Sequence, residues 1–187
     1  YLMEKKIPGG NFNSRTLVSN LNTYLSSVYG EGEYVEQCMN LQLYFNWKEV
    51  NSKKINTQAF FQKCYQFIMT QPGIMQAHSA NSMLNGAFEE TGIKGNLIRG
   101  FNHKRSGEIM LVLEPNWFDN LWGDAADHGS GYSYDTHVPV IFYGWGIKKG
   151  SSSQYHPITD IAPTISTLLH IKFPNGTTGN PISEILD

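Results

Sequence analysis

Two uninterrupted apolar runs constrain the fold of this 187-residue chain more than any other feature. The first, residues 109–113, lies between Glu108 and Glu114, and the second spans residues 138–143. Each run has the length of a strand, and a strand that is apolar on both faces must be covered on both faces, as in a sheet packed between helices. We therefore predict two buried strands of an α/β domain. Pro139 lies near the start of the second run, where a missing N–H does least harm.

Regular apolar spacing predicts two elements near the start of the chain. Residues 14–29 repeat apolar side chains at helical spacing, and Ser14 is a suitable N-cap for this helix. From residue 38 to residue 46 apolar and polar side chains alternate, which is typical of a half-buried strand. A hairpin through Trp47–Lys48 would follow that strand.

Three further helices and a short strand are predicted along the rest of the chain. A helix capped by Thr57 runs until Pro72, which forbids continuation, and a short strand follows at residues 74–78. Another helix is expected near residues 96–102. The last helix begins at Thr159–Asp160, with an aspartate favourably placed at the positive end of the helix dipole.

The composition excludes some classes of function. Charged residues make up 16% of the chain and the formal net charge is −2, so no basic field attracts a nucleic-acid backbone. The apolar runs are far shorter than the ~20 residues that a membrane-spanning helix needs. Cys38 and Cys64 have no CxxC spacing, which argues against a thiolate zinc site or a redox pair and for two buried free thiols. The low charge suits a secreted or periplasmic protein.

A polar loop at residues 119–135 precedes the second apolar run. It is rich in Gly, Asp, Ser and Tyr, and it lacks periodicity, so we expect it at the surface. Loops at strand ends are where α/β enzymes build sites. This loop carries His128 followed by a glycine; a neutral imidazole is a good zinc ligand, and glycine lets the backbone approach a metal or phosphate. The residues alone leave open whether His128 binds metal, caps a turn or lies in solvent.

Several long stretches of the chain resemble one known family. They are YLMEKKIPGG at the start, QPGI at 71–74, KRSGEIMLVLEPNW at 104–117, HGSGYSYDTHVPVIFYGWGIKKG from 128 and HPITDIAPTISTLLHIKFPNGTTGNPI from 156. These stretches resemble the C-terminal portion of bacterial phosphatases related to type I phosphodiesterases and nucleotide pyrophosphatases, within the alkaline phosphatase superfamily. The resemblance runs nearly end to end.

The resemblance implies a partial alkaline-phosphatase-like three-layer α/β sandwich with a mixed α+β insertion. The strands near 108–113 and 138–143 would belong to the main sheet, and the insertion would span residues 30–105. We divide the chain into a helical lead-in (1–29), a mixed α+β subdomain ending in a core strand (30–118), and a part with the metal-ligand loop, a core strand and the C-terminal helix (119–187). A truncated sheet exposes an edge that the missing N-terminal part would cover, so self-association or marginal stability is expected.

The resemblance also assigns the site. His128 matches a histidine that binds one of two zinc ions, while the nucleophile and the remaining ligands would lie outside this chain, which then holds no catalytic residue. Asp127 departs from the family pattern; it could orient the imidazole by a hydrogen bond without binding the metal itself. Asp135 either bonds the second nitrogen of His128 or holds the loop through backbone donors. His137, beside the predicted strand, is expected to be packed and hydrogen-bonded.

Other polar residues receive no role in the site. Lys104–Arg105 could clamp a phosphate, but the resemblance places the phosphate contacts elsewhere, so a solvated turn is expected there. His78, His103, His156 and His170 form no H-x-x-x-H pair and are assigned nothing.

The expected function is that of a C-terminal segment of a zinc-dependent phosphoric-ester hydrolase acting on a small phosphate ester, inactive alone. One alternative is that residues 1–118 form a non-catalytic accessory or binding module. Another keeps the scaffold but changes the reaction, since sulfatases and phosphoglycerate mutases share the superfamily. The text Tyr-Asp-Thr-His-Val-Pro at 134–139 favours the phosphatase branch.

Overall fold

The computed structural model describes residues 2–87, 91–120, 123 and 128–186, and the chain divides into two compact units, Tyr1–Val138 and Pro139–Asp187. The described elements of the first unit are α1 (Leu2–Lys5), β1 (Gly10–Phe12), α2 (Ser14–Tyr29), β2 (Val35–Met39), β3 (Gln42–Phe45), α3 (Trp47–Ser52), α4 (Thr57–Ile68), β4 (Ile74–Ser79), α5 (Ala80–Leu84), α6 (Gly92–Gly100), β5 (Ile109–Leu113), β6 (Trp117–Asp119) and α7 (Ser133–Thr136). In the second unit, 3-10 turns at Ile158–Asp160 and Ser183–Ile185 stand on either side of α8 (Ile161–Leu168). The three-part division expected from the sequence stays a prediction.

Helices α2 and α4 confirm the two helices predicted from apolar spacing, with each cap one residue earlier than expected. Asn13, not Ser14, caps α2, and its side-chain oxygen accepts the N–H of Thr16 at 2.9 Å. Asn56 caps α4 in the same way. Both helices bury one stripe of side chains. The buried apolar residues are Leu17, Leu21 and Leu25 on α2, and Phe60, Cys64 and Ile68 on α4.

Strands β2 and β3 form a hairpin whose turn lies at Asn40 and Leu41, so the prediction of a turn at Trp47–Lys48 is wrong. Both turn residues have positive φ, 50° and 59°, which a two-residue type I′ turn requires. Asn46 then caps α3 with its side chain, so the chain enters a helix where the sequence predicted the turn.

A four-stranded antiparallel sheet has the strand order β2-β3-β5-β4. All five residues of β5 are buried, which confirms the prediction of a buried strand. Its sheet differs from the expected one, because β5 pairs with β3 and β4 of the expected insertion instead of joining a separate main sheet. An apolar run indicates that both faces are covered, but not which strands lie beside it.

A short parallel pair joins β1 to β6, with Phe12 opposite Asp119. One carboxylate oxygen of Asp119 accepts the N–H of Ser14 at 3.0 Å, across 105 residues of sequence. The pair therefore fixes the point from which the polar loop after β6 departs.

Residues 138–143 form no strand, so the prediction of a second buried strand is wrong. Val138 is 66% exposed, Ile141 84% and Tyr143 100%. A strand needs a neighbouring backbone for its N–H and C=O groups, and no strand within the described ranges pairs with this segment. Helix α8, in contrast, confirms the helix predicted from Thr159–Asp160 onwards.

Candidate metal-ligand site

His128 lies on the loop between β6 and α7, and its side chain is exposed. Gly129 follows with a φ of 108°, a conformation that residues with a side chain rarely adopt. A Cβ at Gly129 would meet no atom within 4 Å, so the backbone conformation, and not crowding, requires glycine here. The loop thus presents an imidazole at the surface, where a metal ion can reach it.

Asp135 closes this loop on itself. Its Oδ2 accepts the N–H of Ser130 at 2.9 Å and the hydroxyl of the same serine at 2.5 Å. These contacts hold the loop, which is one of the two roles expected for Asp135. The other role, a hydrogen bond to the imidazole of His128, stays a prediction.

Two tyrosines attach the loop to the sheet. The hydroxyl of Tyr132 donates to the carbonyl oxygen of Leu113, the last residue of β5, at 2.8 Å, and it lies 3.4 Å from the sulfur of Met75 on β4. The ring of Tyr132 stacks on that of Tyr134, with centroids 5.3 Å apart. The Tyr134 hydroxyl in turn accepts the N–H of Asn116 at 3.2 Å. The loop is therefore anchored at the end of β5.

Helix α6 contacts the loop from another direction. The side-chain amide of Asn96 donates to the carbonyl oxygen of Gly131 at 3.2 Å. A Cβ at Gly131 would lie 2.9 Å from Cγ2 of Ile93, so glycine is needed for this close approach. Both contacts place the loop backbone directly against α6.

The remaining residues singled out in the sequence lie apart from this arrangement. Asp127 lies outside the described residues. His137 is exposed, so the prediction of a packed histidine is wrong, because the segment that follows it is not a buried strand. Lys104–Arg105 form an exposed turn before β5, as expected.

A second polar cluster, in the second unit, was missed by the sequence analysis. The two ring nitrogens of His156 lie 3.3 Å from a carboxylate oxygen of Asp160 and 3.2 Å from one of Glu184. The histidine thus ties the 3-10 turn near the end of the chain to the start of α8. Its four-residue spacing from Asp160 was the available signal, whereas the partner 28 residues away left none.

Within the part of the chain that the structure describes, no group of three or more His, Cys, Asp or Glu residues is arranged to hold a metal ion. His128 can supply one donor. A complete site would need ligands in addition to those described.

The whole chain is similar in sequence to alkaline phosphatases. It is 32% identical over 186 residues to alkaline phosphatase PafA of Elizabethkingia meningoseptica, which covers 100% of this chain and 34% of PafA. It is 30% identical over 188 residues to alkaline phosphatase PhoV of Synechococcus elongatus, covering 98% of this chain and 33% of PhoV. A Myroides odoratus protein named calcium-transporting ATPase is 32% identical over 188 residues, with 100% of this chain and 34% of that protein covered. No protein-family model matches the chain.

The backbone structure is also similar to that of an alkaline phosphatase. The crystal structure of wild-type PafA superposes with a TM-score of 0.88 at 32% identity, covering 100% of this chain and 35% of that one. A multiply substituted mutant of PafA gives a TM-score of 0.87. The chain belongs to the alkaline phosphatase superfamily.

Its mixed α/β architecture matches the C-terminal part of the alkaline phosphatase fold, which confirms the expected fold class. The chain spans about a third of the length of the relatives it matches. No described helix combines the length and the hydropathy that a membrane-spanning helix requires.

Proposed function

We propose that this chain is part of a zinc-dependent phosphoric-ester hydrolase of the alkaline phosphatase or phosphodiesterase type, to which it contributes one zinc ligand, His128. The end-to-end match to alkaline phosphatases carries the proposal. The exposed imidazole on a loop that is tied to the sheet supports it, because a ligand must be both accessible and held in place.

The donor chemistry of His128 suits zinc. A neutral imidazole nitrogen binds this ion at ~2.0–2.1 Å. When bound, a pair of zinc ions supplies positive charge that stabilises the attacking and leaving oxygens of an in-line displacement. The chain's own residues hold the loop that carries the imidazole: Gly129 sets the direction of the backbone, and Asp135 closes the loop at Ser130.

We expect the 187-residue chain to be inactive by itself. One imidazole holds zinc weakly, since structural and catalytic zinc sites use three or four protein ligands. By resemblance, the nucleophile and the other ligands belong to the part of the relatives that this chain does not match. The substrate of the longer protein would be a small phosphate ester.

Finer parts of the proposal rest on the resemblance and on composition. The motif at 134–139 favours the type I phosphodiesterase and nucleotide pyrophosphatase group. The low share of charged residues, 16%, suits a periplasmic or secreted enzyme. The exposed apolar segment 138–143 suits a chain whose remaining fold covers it, and it makes self-association of the isolated chain expected.

The test compares this chain alone with a longer protein that carries the rest of the fold. With zinc and p-nitrophenyl phosphate, the longer protein is expected to turn over substrate and the 187-residue chain is not. In the longer protein, His128→Ala should lower zinc affinity by more than the ~10–100-fold that loss of a residue supporting a ligand causes. His103→Ala, which removes another exposed histidine, is the matched control and should change neither quantity. Turnover by the isolated chain, or full zinc affinity in His128→Ala, would contradict the proposal.

A further inference from the structure

We propose that Tyr132 is a positioning residue for the His128 imidazole, acting by fixing the ligand loop to the end of β5, with Asn96 as a second tether from α6. The inference rests on the proposed function, because it takes His128 to be a metal ligand. In this inference the four-stranded sheet and α6 form the platform on which the ligand loop is held.

A metal ligand has to be placed accurately. A ligand has to be held within about 0.5 Å of its productive position by groups that are themselves locked. His128 is exposed and is followed by a glycine at positive φ, so its position also depends on how the loop that carries it is held. The Ser130–Asp135 contact closes the loop but spans only five residues, so it leaves the loop free to move as one body.

Tyr132 supplies the longer connection. It lies four residues after His128, and its hydroxyl bonds the Leu113 carbonyl at 2.8 Å, across 19 residues of sequence. Leu113 ends a strand whose five residues are all buried and which pairs on both edges, so the anchor point belongs to the packed sheet. A shift of the loop by one ångström would stretch this hydrogen bond beyond a normal donor–acceptor distance.

The chemistry of Tyr132 suits a permanent donor. Burial, followed by the charges of Tyr134 and Glu114, raises the pKa of Tyr132 above its ordinary value. The hydroxyl therefore keeps its proton, and can donate it, to a higher pH than an ordinary tyrosine does. The stacked ring of Tyr134 limits rotation of the Tyr132 side chain.

Asn96 restrains the same loop from α6. Its amide bonds the Gly131 carbonyl at 3.2 Å across 35 residues of sequence, next to the tight contact between Gly131 and Ile93. Tyr132 and Asn96 thus hold adjacent residues of the loop from two different elements, which restricts both translation and rotation of the segment that carries His128.

The experiment uses the longer protein and measures zinc affinity by competition with a chromogenic chelator. Tyr132→Phe removes the hydroxyl and keeps the stacked ring. We expect it to lower zinc affinity about tenfold, at the low end of the effect of groups that orient a metal ligand, with an unchanged melting temperature. Asn96→Ala, which removes the second tether, should also lower zinc affinity.

Tyr24→Phe is the matched control. Tyr24 is also partly buried and stacked on an aromatic ring, that of Phe67 at 5.0 Å, and its hydroxyl makes no hydrogen bond to any residue that the structure describes. Its removal should leave zinc affinity unchanged. A purely structural role for Tyr132 would lower the melting temperature without a change in zinc affinity.

The outcomes separate this inference from the proposed function. Lower zinc affinity in Tyr132→Phe but not in Tyr24→Phe supports the positioning role. Zinc affinity that falls in His128→Ala but not in Tyr132→Phe, or that falls equally in Tyr132→Phe and Tyr24→Phe, overturns the positioning role alone. Unchanged affinity in His128→Ala overturns the proposed function and the positioning role together.

Discussion

Strand β5 and the segment 138–143 are two apolar runs that look alike in sequence and differ completely in their surroundings. Every side chain of β5 is at most 4% exposed, whereas Tyr143 in the other run is 100% exposed. The difference lies in their neighbours: β5 pairs on both edges, with β3 and β4, and the other run pairs with no strand of the described ranges. An apolar run thus indicates a need for cover, and the cover must come from elsewhere in the protein.

The match to only a third of each relative gives this difference a physical meaning. The partners of β5 lie within 70 residues of it in the same chain, so both of its edges are paired here. We propose that the partners of 138–143 belong to the part of the relatives that this chain does not match. On this proposal, the strands that pair with β5 lie within this chain, whereas those that pair with 138–143 lie outside it.

The largest expected effect comes from removing one buried side chain of β5. Leu111→Ala should destabilise the isolated chain by about 2–5 kcal/mol, because it deletes packed methyl groups and leaves a cavity. Ile141→Ala, in the exposed run, should change stability by no more than about 0.5 kcal/mol. Urea unfolding followed by circular dichroism measures both. Equal losses in the two variants would mean that the exposed run is buried in solution.

The same contrast shows how much of the fold the sequence could predict. Helices α2 and α4 and the buried strand β5 were predictable, because their apolar spacing reports the covered face directly. The turn at Asn40 and Leu41 was not, since leucine rarely adopts positive φ and no glycine marks the position. The failure at 138–143 has a different cause: no strand of the described ranges pairs with that run, and an apolar run does not show by itself where its neighbours lie.

The candidate site also has features that the sequence could predict and features that it could not. The His128 loop could be located from its residue types and from the family resemblance. A role for Asp135 in holding that loop could be anticipated because Asp135 follows His128 by only seven residues. The contacts of Tyr132 with Leu113 and of Asn96 with Gly131 could not be anticipated. They join residues 19 and 35 positions apart, and no periodicity reports such a pair.

Thiol reactivity offers a second, smaller contrast between covered and uncovered regions. Cys64 on α4 is buried as predicted, whereas Cys38 on β2 is only half-buried. Burial raises the pKa of Cys64 to about 12, and partial burial followed by the charge of Asp119 raises the pKa of Cys38 to about 12. Both thiols should therefore react slowly with a disulfide reagent at pH 8, where almost no thiolate is present. A cysteine introduced by Ile141→Cys should react at the rate of an exposed thiol.

The raised thiol pKa values also fix a dependence of stability on pH. Because the folded chain favours the protonated thiols, their contribution to stability is complete below the ordinary thiol pKa and is lost as the pH rises from there towards about 12. Unfolding measured from pH 8 to pH 11 checks this. Fast labelling of Cys64 in the folded chain at pH 8 would show that the core opens readily.

The smallest expected effect concerns Glu184 in the second unit. Its contacts there are polar, whereas those that bury β5 in the first unit are apolar. A hydrogen bond from its own backbone N–H, and then bonds from His156 and Ser183, lower the pKa of Glu184. His156→Ala should therefore raise that pKa towards its ordinary value, and Ser183→Ala should raise it less. A carboxyl titration by NMR measures both shifts.

The lowered pKa of Glu184 also makes stability depend on pH. It stabilises the fold above the pKa of an unfolded glutamate, and this gain disappears as the pH falls through the pKa of the folded state. His156→Ala should therefore reduce stability at neutral pH more than at pH 3. An equal reduction at both pH values would assign the effect to lost packing of the imidazole and not to its contact with the carboxylate.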